Sequence, residues 1–114
     1  MSQENPILSE EQFAARTEQS PAVLFYFSTL SCVVGEAVEP KIREMIANEF
    51  PRIEFVWIDM NAAPEILGRH QVFVEPTVLL FIYGKEHLRR SRNFHMTELE
   101  DSIRRIYDLA FSDE

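Results

Sequence analysis

The stretch "STLSCVVGEAVEP" (residues 28–40) decides how this chain is read. It follows the run "AVLFYF" (22–27) and carries Cys32, the one cysteine in the sequence. A continuous apolar run of that length reads as a strand covered on both faces. Beyond the cysteine, Val38, Ile42, Met45, Ile46 and Glu49 keep helical spacing, and four of these five are apolar. An amphipathic helix is therefore predicted over residues 34–49. Pro40 lies inside it and is expected to kink it, because proline lacks an N–H and crowds the preceding turn. Cys32 thus stands between a strand end and a helix head. There, N–H groups and the positive end of the helix dipole favour a thiolate.

Upstream, Ser9 and Gln12 fit a capping box, and Phe13, Ala14 and Thr17 share one side of the helix it opens. "SP" at 20–21 ends that helix. Downstream, "RIEFVWID" (52–59) reads as a second strand. "NAAPEILGRH" (61–70) reads as a short helix, with Pro64 in its first turn and Gly68 near its end. "PTVLLFIY" (76–83) is a third strand, Gly84 a turn and "EHLRRSR" (86–92) a weaker fourth strand. Thr97 opens a last helix, with Leu99, Ile103, Ile106, Tyr107 and Ala110 as its apolar stripe. The order is α-β-α-β-α-β-β-α. Strand–helix–strand units predict parallel pairing with right-handed crossovers. The tight turn at Gly84 predicts an antiparallel hairpin. The expected fold is α/β, a mixed four-stranded sheet with helices on both faces.

At 114 residues and 13.3 kDa the chain reads as one domain, residues 1–114, able to bury a core without disulfides or metal. A net charge of −8 and a pI of about 4.9 argue against nucleic acid as a partner, since its binders present a basic face. A lone cysteine precludes an intrachain disulfide. His70, His87 and His95 stand at no zinc-like spacing with it, so no metal is expected. "MSQENPILSEEQF" has no basic start and no apolar run of signal-peptide length. No apolar stretch reaches the ~18–20 residues of a membrane span. The expectation is a cytoplasmic monomer with no membrane partner, although a chain trimmed of a signal peptide would read the same way.

This element order, with four local features, resembles thioredoxin. Cys32 follows an apolar strand at the head of a helix, and Pro40 stands where the thioredoxin helix carries its kinking proline. "VEPTVLLF" (74–81) resembles the segment in which a cis-proline precedes Thr and an apolar strand. "FIYGKEHL" (81–88) matches the strand, Gly turn and strand that follow. The resemblance covers roughly residues 8–111 and implies a thioredoxin-like fold, with Pro76 as the cis-proline beside a substrate groove. The departures cluster at the active site. C-V-V-G (32–35) replaces C-G-P-C, so Gly35 stands where the resolving cysteine would be. The buried Asp of the family falls on Tyr26 and its Lys partner on Trp57. Replacement of that ion pair as a unit is expected, since one half alone would be a buried unpaired charge. The Gly that closes the last strand falls on Arg92.

In the family's chemistry the first cysteine attacks a substrate disulfide and the second resolves the mixed disulfide. Here resolution needs an outside thiol such as glutathione, as co-substrate and with no cofactor. Cys32 could support monothiol exchange or deglutathionylation, but not efficient dithiol reduction. Helix N–H groups of Val34 and Gly35 would stabilise its thiolate. Glu36, one turn into the helix, and Glu75 would disfavour it. Arg92 acts in the thiolate's favour, or else pairs with Glu75. The groove is expected to comprise Leu30, Ser31, Val33, Val34, Gly35, Glu75, Pro76 and Arg92 around Cys32.

Two functional readings follow. In the first, the chain is a monothiol oxidoreductase with Cys32 as nucleophile, acting on protein or peptide thiols and disulfides. In the second, it is a non-catalytic module that binds a protein partner through the Cys32/Pro76 groove. That binding would add a strand at the Glu75–Pro76 edge, aided by the apolar pair Val33–Val34. "KEHLRRSR" (85–92) reads either as a docking site for an acidic partner or as an edge strand protected by charge. The three histidines read as solvated surface residues. An iron–sulfur site of the monothiol glutaredoxin kind is not expected, because the C-G-F-S and Gly-Gly segments are missing.

Overall fold

The computed structural model describes residues 6–29 and 33–112, and the side chains of residues 33–36 fall outside that description. The elements are α1 (Glu10–Gln19), β1 (Ala22–Ser28), α2 (Val33–Glu49), β2 (Glu54–Asp59), α3 (Pro64–His70), β3 (Thr77–Ile82), β4 (Lys85–Ser91) and α4 (Met96–Phe111). Their order is the one read from the sequence. The strands form one mixed sheet in the order β2-β1-β3-β4.

The capping box opens α1 as expected. Gln12 donates its backbone N–H to Ser9 Oγ at 3.2 Å, and Ser9 donates its own to Gln12 Oε1 at 3.1 Å. Two orphan donors of the first turn are thereby satisfied. β1 is buried along its whole length because helices cover both of its faces. Alternation sends Leu24 and Tyr26 to one side, against Ile42 and Ile46 of α2 and Leu99 and Ile103 of α4. Val23, Phe25 and Phe27 point the other way, toward Phe13 of α1 and Ile66 of α3. There the rings of Phe13 and Phe25 stack at 4.0 Å. α2 runs through Pro40, which lies on its exposed side while Ile42 and Ile46 are buried.

One pairing differs from expectation. β1 and β2 are parallel through the α2 crossover, but β3 runs antiparallel to β1 on its other side. The second strand–helix–strand unit is therefore not a parallel one. The reason is length. β2 has six residues and advances about 20 Å. α3 has seven residues, about 10 Å of helix, and cannot carry the chain back to the starting edge. β3 thus begins at the end where β2 stops: Thr77 pairs with Phe27, and Asp59 with Ser28.

Several boundaries also move. Asn61–Ala63 form a turn rather than helix, with Asp59 Oδ1 accepting from Asn61 N at 3.0 Å. Gly68 lies inside α3; the residue that ends the helix in left-handed conformation is Gln71, at φ +56°. α4 starts at Met96, with His95 as its N-cap. In the β3–β4 hairpin the register shifts after Leu80–Leu88, which leaves His87 as the extra residue of a bulge.

Candidate functional site

β1 ends at Ser28 and α2 begins at Val33, and Phe27 near the end of β1 pairs with Thr77 at the start of β3. Cys32, Leu30 and Ser31 lie outside the described residues. The backbone of Val33, Val34 and Gly35 forms the first turn of α2. On the opposite side of the site, the Glu75–Pro76 peptide bond is cis and Pro76 is buried.

Local hydrogen bonds hold this end of the sheet together. Met60 donates its N–H to the Ser28 carbonyl at 2.9 Å, tying the end of β2 to the end of β1. Thr77 Oγ1 donates to the Val74 carbonyl and lies 3.0 Å from Ser91 Oγ, so it braces the approach to β3 against the end of β4. Arg92 then donates its N–H to the Pro76 carbonyl at 2.8 Å.

These ties shape an open groove of about 480 Å³. Its polar lining comes from Thr29, Asn61, Glu75 and Arg92, and its apolar lining from Met60, Leu67, Phe73 and Val74. Of the residues expected here, the structure brings Glu75 and Arg92 together, with Pro76 between Glu75 and β3. Of the two alternatives left open for Arg92, the pairing with Glu75 is not found: among the described residues neither side chain enters an ion pair. Arg92 is exposed and sits at φ +63°, so it keeps the left-handed backbone that favours glycine while carrying a charged side chain.

Sequence reasoning missed Phe73, which is 75% exposed beside the groove. The available signal was an aromatic residue in the loop between α3 and β3, two positions before Glu75. The positions of the absent buried ion pair are occupied as anticipated by aromatic residues. Tyr26 is fully buried, and Trp57 Nε1 donates to Ser28 Oγ at 2.9 Å.

Arg89 and Arg90 of the basic strand are committed elsewhere. Arg89 Nε donates to Glu86 at 2.9 Å, and its Nη atoms donate to the carbonyls of Gln71 and His70, satisfying the end of α3. Arg90 bonds Glu98 of α4 at 2.6 Å. That bond, helped by the Ser102 hydroxyl, holds the Glu98 carboxyl down to about 2, and it raises the Arg90 pKa in turn. β4 is thus an edge strand whose charges bind both flanking helices. His70 corrects another expectation. Its Nε2 lies 2.8 Å from Glu10 Oε1 and its ring lies 4.3 Å from that of Phe13, so it joins α3 to α1 rather than standing in solvent. His87 and His95 are exposed.

No protein-family model matches the chain. The fold is that of thioredoxin: mitochondrial thioredoxin 3 of Saccharomyces cerevisiae superposes with a TM-score of 0.78 at 21% identity, over 89% of this chain and 93% of that one. Thioredoxin 1 of Thermosipho africanus gives 0.70 at 30% identity, over 81% and 99%. The chain belongs to the thioredoxin-like proteins, being 39% identical over 84 residues, 74% of each chain, to the thioredoxin-like protein YdfQ of Bacillus subtilis.

Proposed function

We propose that this protein carries out monothiol thiol–disulfide exchange through Cys32, as a cytoplasmic monomer acting on protein or peptide disulfides. The observation that carries the reading is the shared groove: Thr29, three residues before Cys32, lines it together with Glu75 and Arg92, next to cis-Pro76. In the first step the Cys32 thiolate attacks one sulfur of a substrate disulfide. A mixed disulfide forms, and the other substrate sulfur leaves as a thiolate and takes up a proton. In the second step an external thiol of the glutathione class, as its thiolate, attacks the Cys32 sulfur. Cys32 becomes disulfide-bonded to that thiol and the second substrate sulfur is released. A further external thiolate then regenerates the Cys32 thiol and leaves as the symmetrical disulfide.

The test is the rate of Cys32 alkylation by iodoacetamide against pH in the folded protein. A midpoint well below the free-thiol value of about 8.5 is expected. A midpoint at or above it, or protection until denaturation, would sink the reading. A second reading, a non-catalytic partner-binding module, is favoured by one feature, the exposure of Phe73 on the groove. Cys32→Ser separates the two: exchange is lost under the first reading, and partner binding is retained under the second.

A further inference from the structure

We propose that Arg92 makes the groove selective for extended partner segments carrying an acidic side chain, a specificity that rests on the groove reading given under Proposed function. Among the described residues, three non-glycine positions have positive φ: Gln71, Tyr83 and Arg92. Gln71 ends α3, and Tyr83 precedes Gly84 in the hairpin turn, so local geometry accounts for both. Arg92 is different. Glycine would take its conformation without a steric penalty, and the side chain of Arg92 gains no ion pair among the described residues in return. Strained positions of this kind concentrate at ligand-binding sites.

The other charges sharpen the point. Arg16, Arg43, Arg89, Arg90 and Arg104 reach carboxylates, while Lys41, Arg69, Lys85, Arg105 and Arg92 form no ion pair among the described residues; of these five only Arg92 lines the groove. Arg92 thus places a guanidinium without an ion pair among the described residues at the groove of a chain with net charge −8. Its backbone is pinned to Pro76, so the charge stays beside the edge where an extended segment would add. Glu75 lines the same groove, also without an ion pair among the described residues. The two opposite charges favour an acidic group at Arg92 and disfavour one at Glu75. The preference is therefore local and depends on register, and it runs against the repulsion that the whole acidic chain exerts on acidic partners.

The test uses three cysteine-free extended peptides that differ by one central residue: Glu, Gln or Lys. Binding is followed by NMR at the backbone amides of Thr29, Asn61, Val74 and Arg92. The Glu peptide is expected to bind about threefold or more tighter than the Lys peptide, the scale of one exposed ion pair, and added salt should compress the ratio. Arg92→Gly should reverse the preference, since Glu75 then remains, and should raise the thermal midpoint by relieving the left-handed residue. Arg92→Lys should keep the Glu preference. Equal binding of the three peptides, or a ratio unmoved in Arg92→Gly, would overturn the role of Arg92 while leaving the groove standing. No amide shift with any of them would overturn the groove reading and this inference together.

Discussion

Tyr26 and Trp57 are register partners across the parallel β1–β2 pair, and both pack into the core on the α2/α4 side. Tyr26 also stacks on Phe55, with ring centroids 6.0 Å apart. The interior therefore carries ring surface at the two positions where the family's Asp and Lys fall. Tyr26→Asp places an unpaired charge in that core and should cost about 3–5 kcal/mol. Adding Trp57→Lys should recover part of the loss. A double-mutant cycle in urea measures the coupling, and strict additivity would show that the two positions no longer communicate.

The Ser28 hydroxyl accepts from Trp57 Nε1 at 2.9 Å. Ser28→Ala should cost about 1 kcal/mol, because Trp57 is half-buried and loses a neutral hydrogen bond. The sequence contains one tryptophan, so the emission spectrum reports this site alone and should shift in the variant.

At the start of α1, Ser9→Ala removes one side of the capping box. The expected cost is about 1 kcal/mol, read as a lower urea midpoint with an unchanged slope. Gln12→Ala removes the other side and should be less than additive with Ser9→Ala, since both serve one turn.

Acid should weaken the tie between β4 and α4. The Glu98 carboxyl is lowered from 4.5 to about 2, chiefly by the Arg90 hydrogen bond. A carboxyl depressed by folding stabilises the native state above its unfolded value. That contribution is complete above about pH 4.5 and disappears as pH falls through about 2. Glu98→Gln should flatten this part of the acid limb. Because Glu98 is exposed, the effect should shrink with added salt. NMR titration of the Glu98 carboxyl in 0.5 M salt, a condition of roughly 4 Å screening, checks both points.

Much of the fold was legible because a few segments admit one reading. The unbroken apolar run 22–27 is short, aromatic-rich and follows Pro21, which favours a covered strand over a helix, and Ser9 with Gln12 marks a helix start to the residue. The direction of β3 was not legible. It depends on whether the crossover helix is as long as the strand it must retrace, and Asn61–Ala63 turned out to be turn. His70 was misread because its partner, Glu10, is sixty residues away and meets it only through the packing of α1 on α3. Of the site, Glu75, Pro76 and Arg92 followed from the family resemblance. The exposure of Phe73 and the lack of an ion pair at Arg92 among the described residues could not, since both are set by how the surface folds around them.

β1 is hydrogen-bonded on both edges and covered on both faces, whereas β2 and β4 each pair with one strand only among the described residues. The sheet should therefore lose its amide protons in a definite sequence. Edge amides of β2 and β4 can exchange with solvent deuterium through partial openings, β4 first at the His87 bulge. Those of Leu24 to Phe27 have no such route and must wait for the whole molecule to unfold, so their exchange rates measure its global stability.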